Sequence, residues 1–286
     1  MISLRGTNSL VRNITIHTAL TACKQRGYLA PTSKKHYSET LEKGLRILHL
    51  FNEAHNGFSL TEISKRTGIN KTSVYRYVNT YEDLGYLRKD PRTKMIRLGP
   101  RTTALAHAFL QGSDLVECVK PLVDEAHLRY GAHVDVGLLH GQCIYLVYRR
   151  ESKETMAFRH FTKARKMHYL ATGKAAFAFL PREKQEELLA EMTLDKKTGR
   201  TITDKAELLA ELALTRKRGY SLNNEEYIPG LIALGAPLKS PHSNQILGGL
   251  SFDFSTSIIS LPQMEKKYAK IVVELAKTVS AVIPKT

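Results

Sequence analysis

Residues 59–85 read SLTEISKRTGINKTSVYRYVNTYEDLG. The first four residues form a capping box, in which the Ser59 hydroxyl and the Glu62 carboxylate bond the free amides at a helix start. This short helix is expected to stop at Gly68. After a tight turn, Asn70 can cap a second and longer helix. Two capped helices joined by so short a turn predict a helix-turn-helix.

The second helix has an outer face that is rich in hydrogen-bond donors and holds no acidic residue. Its buried stripe is expected to consist of Val74, Val78, Tyr81 and Leu84. A face that is merely solvated usually mixes charges, whereas this one matches phosphates and base edges. Because the N-terminal half of such a helix enters the major groove, we predict that it contacts duplex DNA. The predicted contact residues are Lys71, Thr72, Ser73, Tyr75, Arg76 and Asn79.

A short β-hairpin is predicted directly after this helix. The segments 86–89 and 95–98 read YLRK and MIRL, and a turn signalled by Asp90-Pro91 separates them. Arg92 and Lys94 lie at the tip, where we expect them to contact the DNA backbone beside the groove. Together these features predict a winged helix-turn-helix over residues 38–100. The alternative is a small helical domain that binds another protein through the same face.

A further helix is predicted before the capping box. Apolar residues recur at helical spacing from Leu41 to Phe51, and Asn56-Gly57 is expected to end the helix. After the hairpin, residues 101–112 read RTTALAHAFLQG, which predicts a linker helix rich in Ala and Leu. Its apolar residues have no evident core of their own, so we expect them to pack against a second protomer.

Charge is unevenly distributed along the chain. The 286 residues carry a formal net charge of +16. Residues 1–101 hold 18 Lys and Arg against 7 Asp and Glu, whereas the remaining 185 residues hold 25 against 20. A basic N-terminal part joined to a C-terminal part of nearly balanced charge suits DNA binding, because neutralisation of DNA phosphates supplies most of the non-specific affinity. A soluble basic surface without a partner is the alternative.

The N-terminal segment is basic and precedes the first acidic residue, Glu39. Its composition resembles a transit peptide, but it lacks a clear amphipathic helix. We therefore expect residues 1–37 to be a basic, disordered extension. The alternative is that the start codon was assigned too far upstream. Three scattered cysteines without a Cys-x-x-Cys pair favour a cytoplasmic protein. No apolar run is long enough to span a bilayer, so no membrane partner is expected.

From residue 113 to residue 286 the pattern changes to mixed helices and strands. Strands are predicted at 134–138, 143–148, 231–238 and 246–254, and helices at 113–130, 173–180, 182–192, 204–218 and 262–282. Strand pairs with helices before, between and after them favour an antiparallel sheet with helices on its faces. The fold class is therefore α+β, with an N-terminal and a C-terminal domain.

Across residues 38–284 the chain resembles IclR-type transcriptional regulators. The motifs that carry the resemblance are LEKGLRIL (41–48), LTEI (60–63), YL (86–87), RLGP (97–100), GKA (173–175), TITD (201–204), RGY (218–220), EE (225–226) and AP (236–237). The resemblance implies a winged head, a linker helix and a GAF-like α/β effector-binding domain with an antiparallel sheet. It also implies homodimers, commonly paired into homotetramers, that bind palindromic operators and a small organic acid.

The resemblance also implies an effector pocket in the C-terminal domain. The loop that precedes GKA usually holds a carboxylate through backbone amides, so Ala171, Thr172 and Gly173 are the amide candidates. Asn223 replaces a usual Asp, and Ala233 replaces the Cys of a Gly-x-x-Cys motif that here includes Leu231. Ser251 and Asp253 match positions where small polar residues are common. The predicted effector-binding residues are Ala171, Thr172, Gly173, Asn223, Leu231, Ala233, Ser251 and Asp253.

Other kinds of chemistry find little support in the sequence. Thr172-Gly173-Lys174 is not a phosphate-binding loop, because that motif needs Gly at 168 and Ser or Thr at 175. His133 and Asp135 could suggest acid–base catalysis, but a structural hydrogen bond is the better interpretation because no nucleophile motif accompanies them. No cofactor, metal site or catalytic residue is predicted.

The sequence therefore predicts a DNA-binding transcription regulator that controls a catabolic operon and responds to a carboxylate, aromatic or dicarboxylic. One alternative is an enzyme that acts on a small acid and carries an appended DNA-binding head. Another is a DNA-organising protein with poor sequence discrimination and no ligand.

Overall fold

The computed structural model describes residues 37–51, 56–153 and 164–284. The predicted N-terminal extension, apart from Tyr37, lies outside the described residues. The chain divides into two compact units, and the division falls between Gly112 and Ser113. Each unit has its own hydrophobic core.

The N-terminal unit contains helices and one short hairpin. Its elements are α1 (Glu39–Leu48), α2 (Leu60–Thr67), α3 (Lys71–Asp83), β1 (Leu87–Lys89), β2 (Ile96–Leu98) and α4 (Arg101–Gln111). The capping box is present: Ser59 Oγ accepts from the Glu62 amide at 3.2 Å, and the Glu62 carboxylate accepts from the Ser59 amide at 2.7 Å. Gly68 ends α2 in the left-handed conformation. The Asn70 side chain caps α3 by accepting from the Ser73 amide at 2.8 Å.

The core of this unit joins the three helices to the hairpin. The core includes Ile47 of α1, Ile63 of α2, Val74 of α3 and Ile96 of β2, all of which are buried. The predicted end of α1 at Asn56-Gly57 is wrong, because the helix stops at Leu48. After that point Phe51 packs edge-to-face on Phe58, with ring centroids 5.3 Å apart. Tertiary packing, rather than continued helical periodicity, places these apolar side chains.

The C-terminal unit is built on a six-stranded antiparallel sheet in the order β5-β4-β3-β8-β7-β6. Its strands are β3 (His133–His140), β4 (Cys143–Arg150), β5 (Ala164–Lys166), β6 (Ser221–Asn224), β7 (Leu231–Lys239) and β8 (Ile246–Ser255). Its helices are α5 (Asp114–Tyr130), α6 (Ala171–Phe179), α7 (Arg182–Glu191), α8 (Lys205–Arg218) and α9 (Leu261–Val282). The short edge strands β5 and β6 were not expected from the sequence.

The two faces of the sheet differ in character. On one face the apolar residues of the central strands form the main core with α5 and α9. The alternation of β3 places Val134 and Val136 in that core and sends His133 and Asp135 to the opposite face. Helix α6 packs on this second face, and a separate apolar cluster joins it to α7 and α8.

Two glycines allow α6 to approach the sheet closely. A Cβ at Gly235 would lie 2.3 Å from the carbonyl oxygen of Ala171, and one at Gly249 would lie 2.3 Å from that of Thr172. The first turn of α6 therefore rests directly on β7 and β8. Among the helices of the described residues, none is both long enough and apolar enough to cross a membrane.

Candidate functional site

The predicted DNA-contacting residues of α3 lie at its start and on its outer side. Lys71, Thr72, Tyr75 and Arg76 are exposed, while Ser73 and Asn79 are half-buried. The first turn of α3 holds no acidic residue. Val74 and Val78 anchor the opposite side of the helix in the core. The exposed side of α3 can therefore supply donors and positive charge to an anionic partner.

The hairpin tip carries the other two predicted contact residues. Arg92 and Lys94 are both exposed. The Asp90 carboxylate accepts from the amides of Arg92 and Thr93 at 2.9 and 2.7 Å, and these bonds lower its pKa. Lys94 has a φ of 59°, and its ammonium donates to the Pro91 carbonyl at 2.7 Å. The turn is thus ordered by its own side chains, and Arg92 remains directed outward from it.

A cavity of about 50 Å³ lies between the start of α6 and the second face of the sheet. Its lining comprises His133, Asp135, Ile144, Leu146, Arg149, Leu170, Ala171, Thr172, Asn223, Tyr227, Leu231, Ala233, Ser251 and Asp253. Seven of the eight predicted effector-binding residues are in this set. Gly173 is not, because it faces the backbone of Met167, where a Cβ would lie 2.3 Å from the carbonyl oxygen.

One side of the cavity is formed by the N-terminus of α6. Leu170 is the N-cap residue and forms no side-chain cap hydrogen bond. Its carbonyl accepts from the Lys174 amide at 2.8 Å, which is the first bond of the helix. Ala171 and Thr172, in the first turn, line the cavity. A helix start with cavity-facing residues is suited to an anionic group, because backbone amides and the helix dipole both favour negative charge.

The sheet side of the cavity holds a cluster of charged side chains on β3, β4 and β8, of which His133 and Asp135 are buried and Arg149 and Asp253 are half-buried. Arg149 donates to both oxygens of Asp135, from Nε at 2.7 Å and from Nη2 at 2.6 Å. His133 Nε2 lies 2.9 Å from Asp135 Oδ1. The structural hydrogen bond predicted between His133 and Asp135 is therefore present. Asp253 completes the cluster and accepts from Ser251 Oγ at 2.6 Å.

The strand register explains why these residues meet. Asp135 pairs with Arg149 on one side and with Ser251 on the other, and His133 pairs with Asp253. Asp253 in turn pairs with Ala233 on β7. Residues directly opposite one another on adjacent strands share a face of the sheet. The cluster is therefore a row across neighbouring strands that no single segment of sequence contains.

The cluster shifts the ionisation of its members in opposite directions. Burial raises the pKa of Asp253, the negative charge of Asp135 raises it further, and the pKa reaches about 6. Burial also disfavours the charged form of Asp135, but His133 and Arg149 outweigh it and hold the pKa of Asp135 below its usual range. Burial opposes protonation of His133, yet the Asp135 carboxylate keeps the pKa of His133 above its ordinary value.

The atoms of His133, Asp135 and Asp253 that could coordinate a metal ion lie within 4.8 Å of one another, which is close enough for all three to bind one ion. However, Asp135 already accepts hydrogen bonds from Arg149 and His133. The guanidinium of Arg149 also places a positive charge beside the set. A bound cation would have to displace these bonds against that charge, so the arrangement favours a charge cluster over a metal centre.

Asn223 and Tyr227 form a further wall of the cavity. Asn223 donates from Nδ2 to the Tyr169 carbonyl at 2.6 Å and accepts at Oδ1 from the Glu226 amide at 3.1 Å. Tyr227 lines the cavity and stacks on Tyr169, with ring centroids 5.3 Å apart. The amide nitrogen of Asn223 thus joins β6 to the segment before α6, and its oxygen holds the turn that follows β6.

The sequence interpretation missed several residues of the cavity, above all Asp135 and Arg149 as parts of the site. A local signal was available for one of them. The segment 133–137 reads HVDVG, and strict alternation places His133 and Asp135 opposite Val134 and Val136. Arg149 had no such signal, because only the register of β4 against β3 brings it to Asp135.

The fold and the two sites define a class of protein. A winged helix-turn-helix with a donor-rich face is joined in one chain to an α/β domain whose antiparallel sheet borders a small cavity lined by polar and apolar side chains. This combination is that of a ligand-responsive transcriptional regulator.

Comparisons with known proteins identify the family. Residues 40–91 match the family described as the IclR helix-turn-helix domain. Residues 107–281 match the family described as bacterial transcriptional regulator IclR C-terminal. The chain belongs to the IclR family of transcriptional regulators.

Individual relatives agree with this assignment. The HTH-type transcriptional regulator BhcR of Paracoccus denitrificans is 32% identical over 199 residues, which cover 69% of this chain and 71% of BhcR. The HTH-type transcriptional regulator XynR of Escherichia coli is 27% identical, over 77% of this chain and 87% of XynR. Because the relatives are named as transcriptional regulators, the chain is a regulator and not an enzyme with an appended DNA-binding head.

Solved structures show the same fold. An IclR family transcriptional regulator from Brucella abortus has a TM-score of 0.77 at 18% identity and covers 88% of this chain and 95% of its own. An IclR homolog from Microbacterium hydrocarbonoxydans was solved in complex with 4-hydroxybenzoate. It has a TM-score of 0.64 at 20% identity, and the match covers 86% of this chain and 99% of the homolog. The predicted α+β fold class is confirmed.

Proposed function

We propose that this regulator binds a palindromic operator as a homodimer or homotetramer and that a small carboxylate in the cavity beside α6 modulates this binding. The observation that carries the proposal is the pairing of two separate features in one chain. One is the acid-free, donor-rich start of α3, and the other is the enclosed cavity at the start of α6.

The DNA contact is assigned to the exposed side of α3 and to the hairpin. Lys71, Thr72, Ser73 and Arg76 contact bases and nearby phosphates in the major groove, with Tyr75 and Asn79 at the edges of this surface. Arg92 and Lys94 contact the flanking backbone, which requires Lys94 to leave the Pro91 carbonyl. The support is the exposure of these side chains and the positive charge that they bring.

The contact with the second protomer is assigned to α4. None of its residues is buried in the described structure, although it is rich in Ala and Leu. Leu105 is 60% exposed and Phe109 is 45% exposed. Helices with such a face gain stability when a second copy covers it. Two heads brought together in this way read half-sites separated by about one helical turn or a multiple of it.

The effector is assigned to the cavity of the C-terminal unit. Its carboxylate is held at the start of α6, where Ala171 and Thr172 line the cavity. Asn223, Leu231, Ala233, Ser251 and Asp253 surround the rest of the molecule. A relative of the same fold was solved with 4-hydroxybenzoate, which is also a small carboxylate. The regulated genes are those of a catabolic operon, and the protein acts in the cytoplasm.

Footprinting tests the proposal directly. The purified protein is incubated with the DNA that flanks its own gene, with and without small carboxylic acids. We expect a protected palindromic site and a change in protection with at least one acid. Arg76→Ala is expected to weaken specific binding by about 1–3 kcal/mol if the side chain reads a guanine. Arg182→Ala, an exposed arginine of α7 in the other unit, is the matched control.

Two results would count against the proposal. Protection that is uniform over random DNA, and unchanged by every acid, would favour a DNA-organising protein. An equal loss of affinity of the Arg76→Ala variant for specific and random DNA would show that Arg76 contacts phosphate only.

A further inference from the structure

Asp253 is the least neutralised carboxylate of the cavity. Within the described part of the chain it takes part in no ion pair, and its hydrogen bond comes from Ser251 Oγ at 2.6 Å. Asp135, by contrast, is paired with both Arg149 and His133. Both aspartates line the cavity. Arg149 and His133 therefore form hydrogen bonds with Asp135, whereas the hydrogen bond that Asp253 accepts among the described residues comes from Ser251.

The half-buried carboxylate of Asp253 can accept more hydrogen bonds than it receives. An ionised carboxylate has about four lone-pair sites and accepts only. Ser251 fills one of them, and Asp253 is otherwise bordered by Ala233 on β7 and His133 on β3. A bound ligand displaces water from these sites, and leaving them without donors then costs free energy. A ligand that brings a donor to this position removes that cost, whereas a ligand that brings a carbonyl or a second carboxylate increases it.

The helix side of the cavity has the reverse preference. The start of α6 favours an anion through its amides and its dipole. A ligand that spans the cavity thus meets donors at α6 and an acceptor at Asp253. The volume of about 50 Å³ is smaller than the roughly 150 Å³ cavity that holds a benzene molecule, so only a compact ligand fits without movement of the lining.

We infer that Asp253 is a specificity-determining residue that selects a compact carboxylic acid carrying a hydroxyl or ammonium donor over the same acid without one. This inference rests on the proposed function, because it assumes that the acid binds in this cavity. The acids selected in this way share a carboxylate at one end of the molecule and an N–H or O–H donor away from it. Simple fatty acids, keto acids and dicarboxylates lack that donor.

Acids matched in size give the sharpest test. Propionate, pyruvate, lactate and alanine each have three carbons and a carboxylate, but only lactate and alanine carry a donor on the second carbon. Butyrate and 3-hydroxybutyrate, and benzoate and 4-hydroxybenzoate, extend the comparison to larger acids. Binding is measured by isothermal titration calorimetry on the full chain and checked by thermal shift. Lactate against alanine then separates a hydroxyl from an ammonium.

The expected result is a preference of at least about tenfold in Kd for the donor-bearing acid of a pair, since a hydrogen bond to a buried charge has that size. In Asp253→Asn an amide N–H₂ replaces one carboxylate oxygen, so the preference is expected to fall by about tenfold and to move toward pyruvate. Glu274→Gln, on the exposed face of α9, is the matched control.

The outcomes separate the two levels of the proposal. If propionate or pyruvate binds as tightly as lactate and alanine, and the larger pairs behave alike, this inference is overturned while a carboxylate effector stands. If Asp253→Asn folds and retains the donor preference, Asp253 is not the selecting residue. If no acid of any pair binds, both the carboxylate effector and this inference fail.

Discussion

The ammonium of Lys174 lies 2.6 Å from Oε1 of Glu226, and both side chains are buried. Lys174 belongs to α6, and Glu226 follows β6, so the pair joins the helix that borders the cavity to the end of an edge strand of the sheet. Oε2 of Glu226 is buried and has no hydrogen-bond partner among the described residues. Burial raises the pKa of Glu226, and the charge of Lys174 opposes that rise. The carboxylate therefore depends on Lys174 to remain ionised.

Removing the ammonium is expected to destabilise the protein strongly. Lys174→Met leaves Glu226 buried without its counter-charge, which typically costs about 3–5 kcal/mol of unfolding free energy. Urea denaturation at pH 8 measures the loss. Lys277→Met, in an exposed pair with Glu274, is the control and should change stability by less than about 1 kcal/mol. Equal effects of the two substitutions would show that the buried pair has no special role.

The pH dependence of stability is expected to change when Asp253 is replaced. Its pKa is about 6 in the folded protein and 3.8 in the reference state, so the ionised form is disfavoured by folding. Stability linked to this group is present below about pH 4 and is lost as the pH rises through 6. Asp253→Asn removes this loss. Relative to the wild type, the variant should therefore gain roughly 2–3 kcal/mol between pH 4 and pH 8.

Urea unfolding at several pH values between 4 and 8 measures this difference. The charge of Asp253 is one cause of the raised pKa of His133, so the measured difference includes the titration of both groups. A difference between variant and wild type that is independent of pH would contradict the raised pKa of Asp253.

Because α6 lies so close to the sheet, we expect that no side chain is tolerated at Gly235 or Gly249. Gly235→Ala and Gly249→Ala each place a Cβ 2.3 Å from a carbonyl oxygen of the first turn of α6. The helix start must shift, so we expect a loss of about 1–3 kcal/mol in stability and weaker effector binding. Gly199→Ala is the control, because a Cβ there meets no atom within 4 Å. Wild-type binding by Gly249→Ala would mean that the first turn of α6 does not hold the ligand.

The hairpin tip is expected to contribute affinity without sequence preference. Arg92→Ala should weaken binding by a similar factor on operator and random DNA and should lower the slope of log K against log salt by about 1. Electrophoretic mobility shifts at several salt concentrations measure both quantities. Selective loss on the operator alone would assign Arg92 to base recognition instead.

Much of the N-terminal unit is predictable because its signals are local. The capping box at Ser59 and the cap at Asn70 lie within three residues of the amides that they bond. The inward stripe and outward donors of α3 follow from helical periodicity. The prediction for α1 was wrong beyond Leu48, since the contact of Phe51 with Phe58 depends on packing between segments.

The candidate cavity is predictable only in part. Seven of its lining residues were named from the family resemblance, and the alternation of β3 indicated which side chains share a face. Arg149 was not predictable, because a β-bulge between Val136 and Gly137 shifts the register of β3 against β4. Such a shift is set by tertiary packing and has no reliable mark in the sequence.

The sequence by itself determined the helix caps, the donor-rich face of α3 and the two-faced pattern of the central strands, because each depends on residues a few positions apart. Only the tertiary structure decided how the carboxylates of Asp135 and Asp253 divide their partners. That division follows from strand register and from the depth at which α6 rests on Gly235 and Gly249. Both are long-range contacts, and their energies depend on burial that no local pattern records.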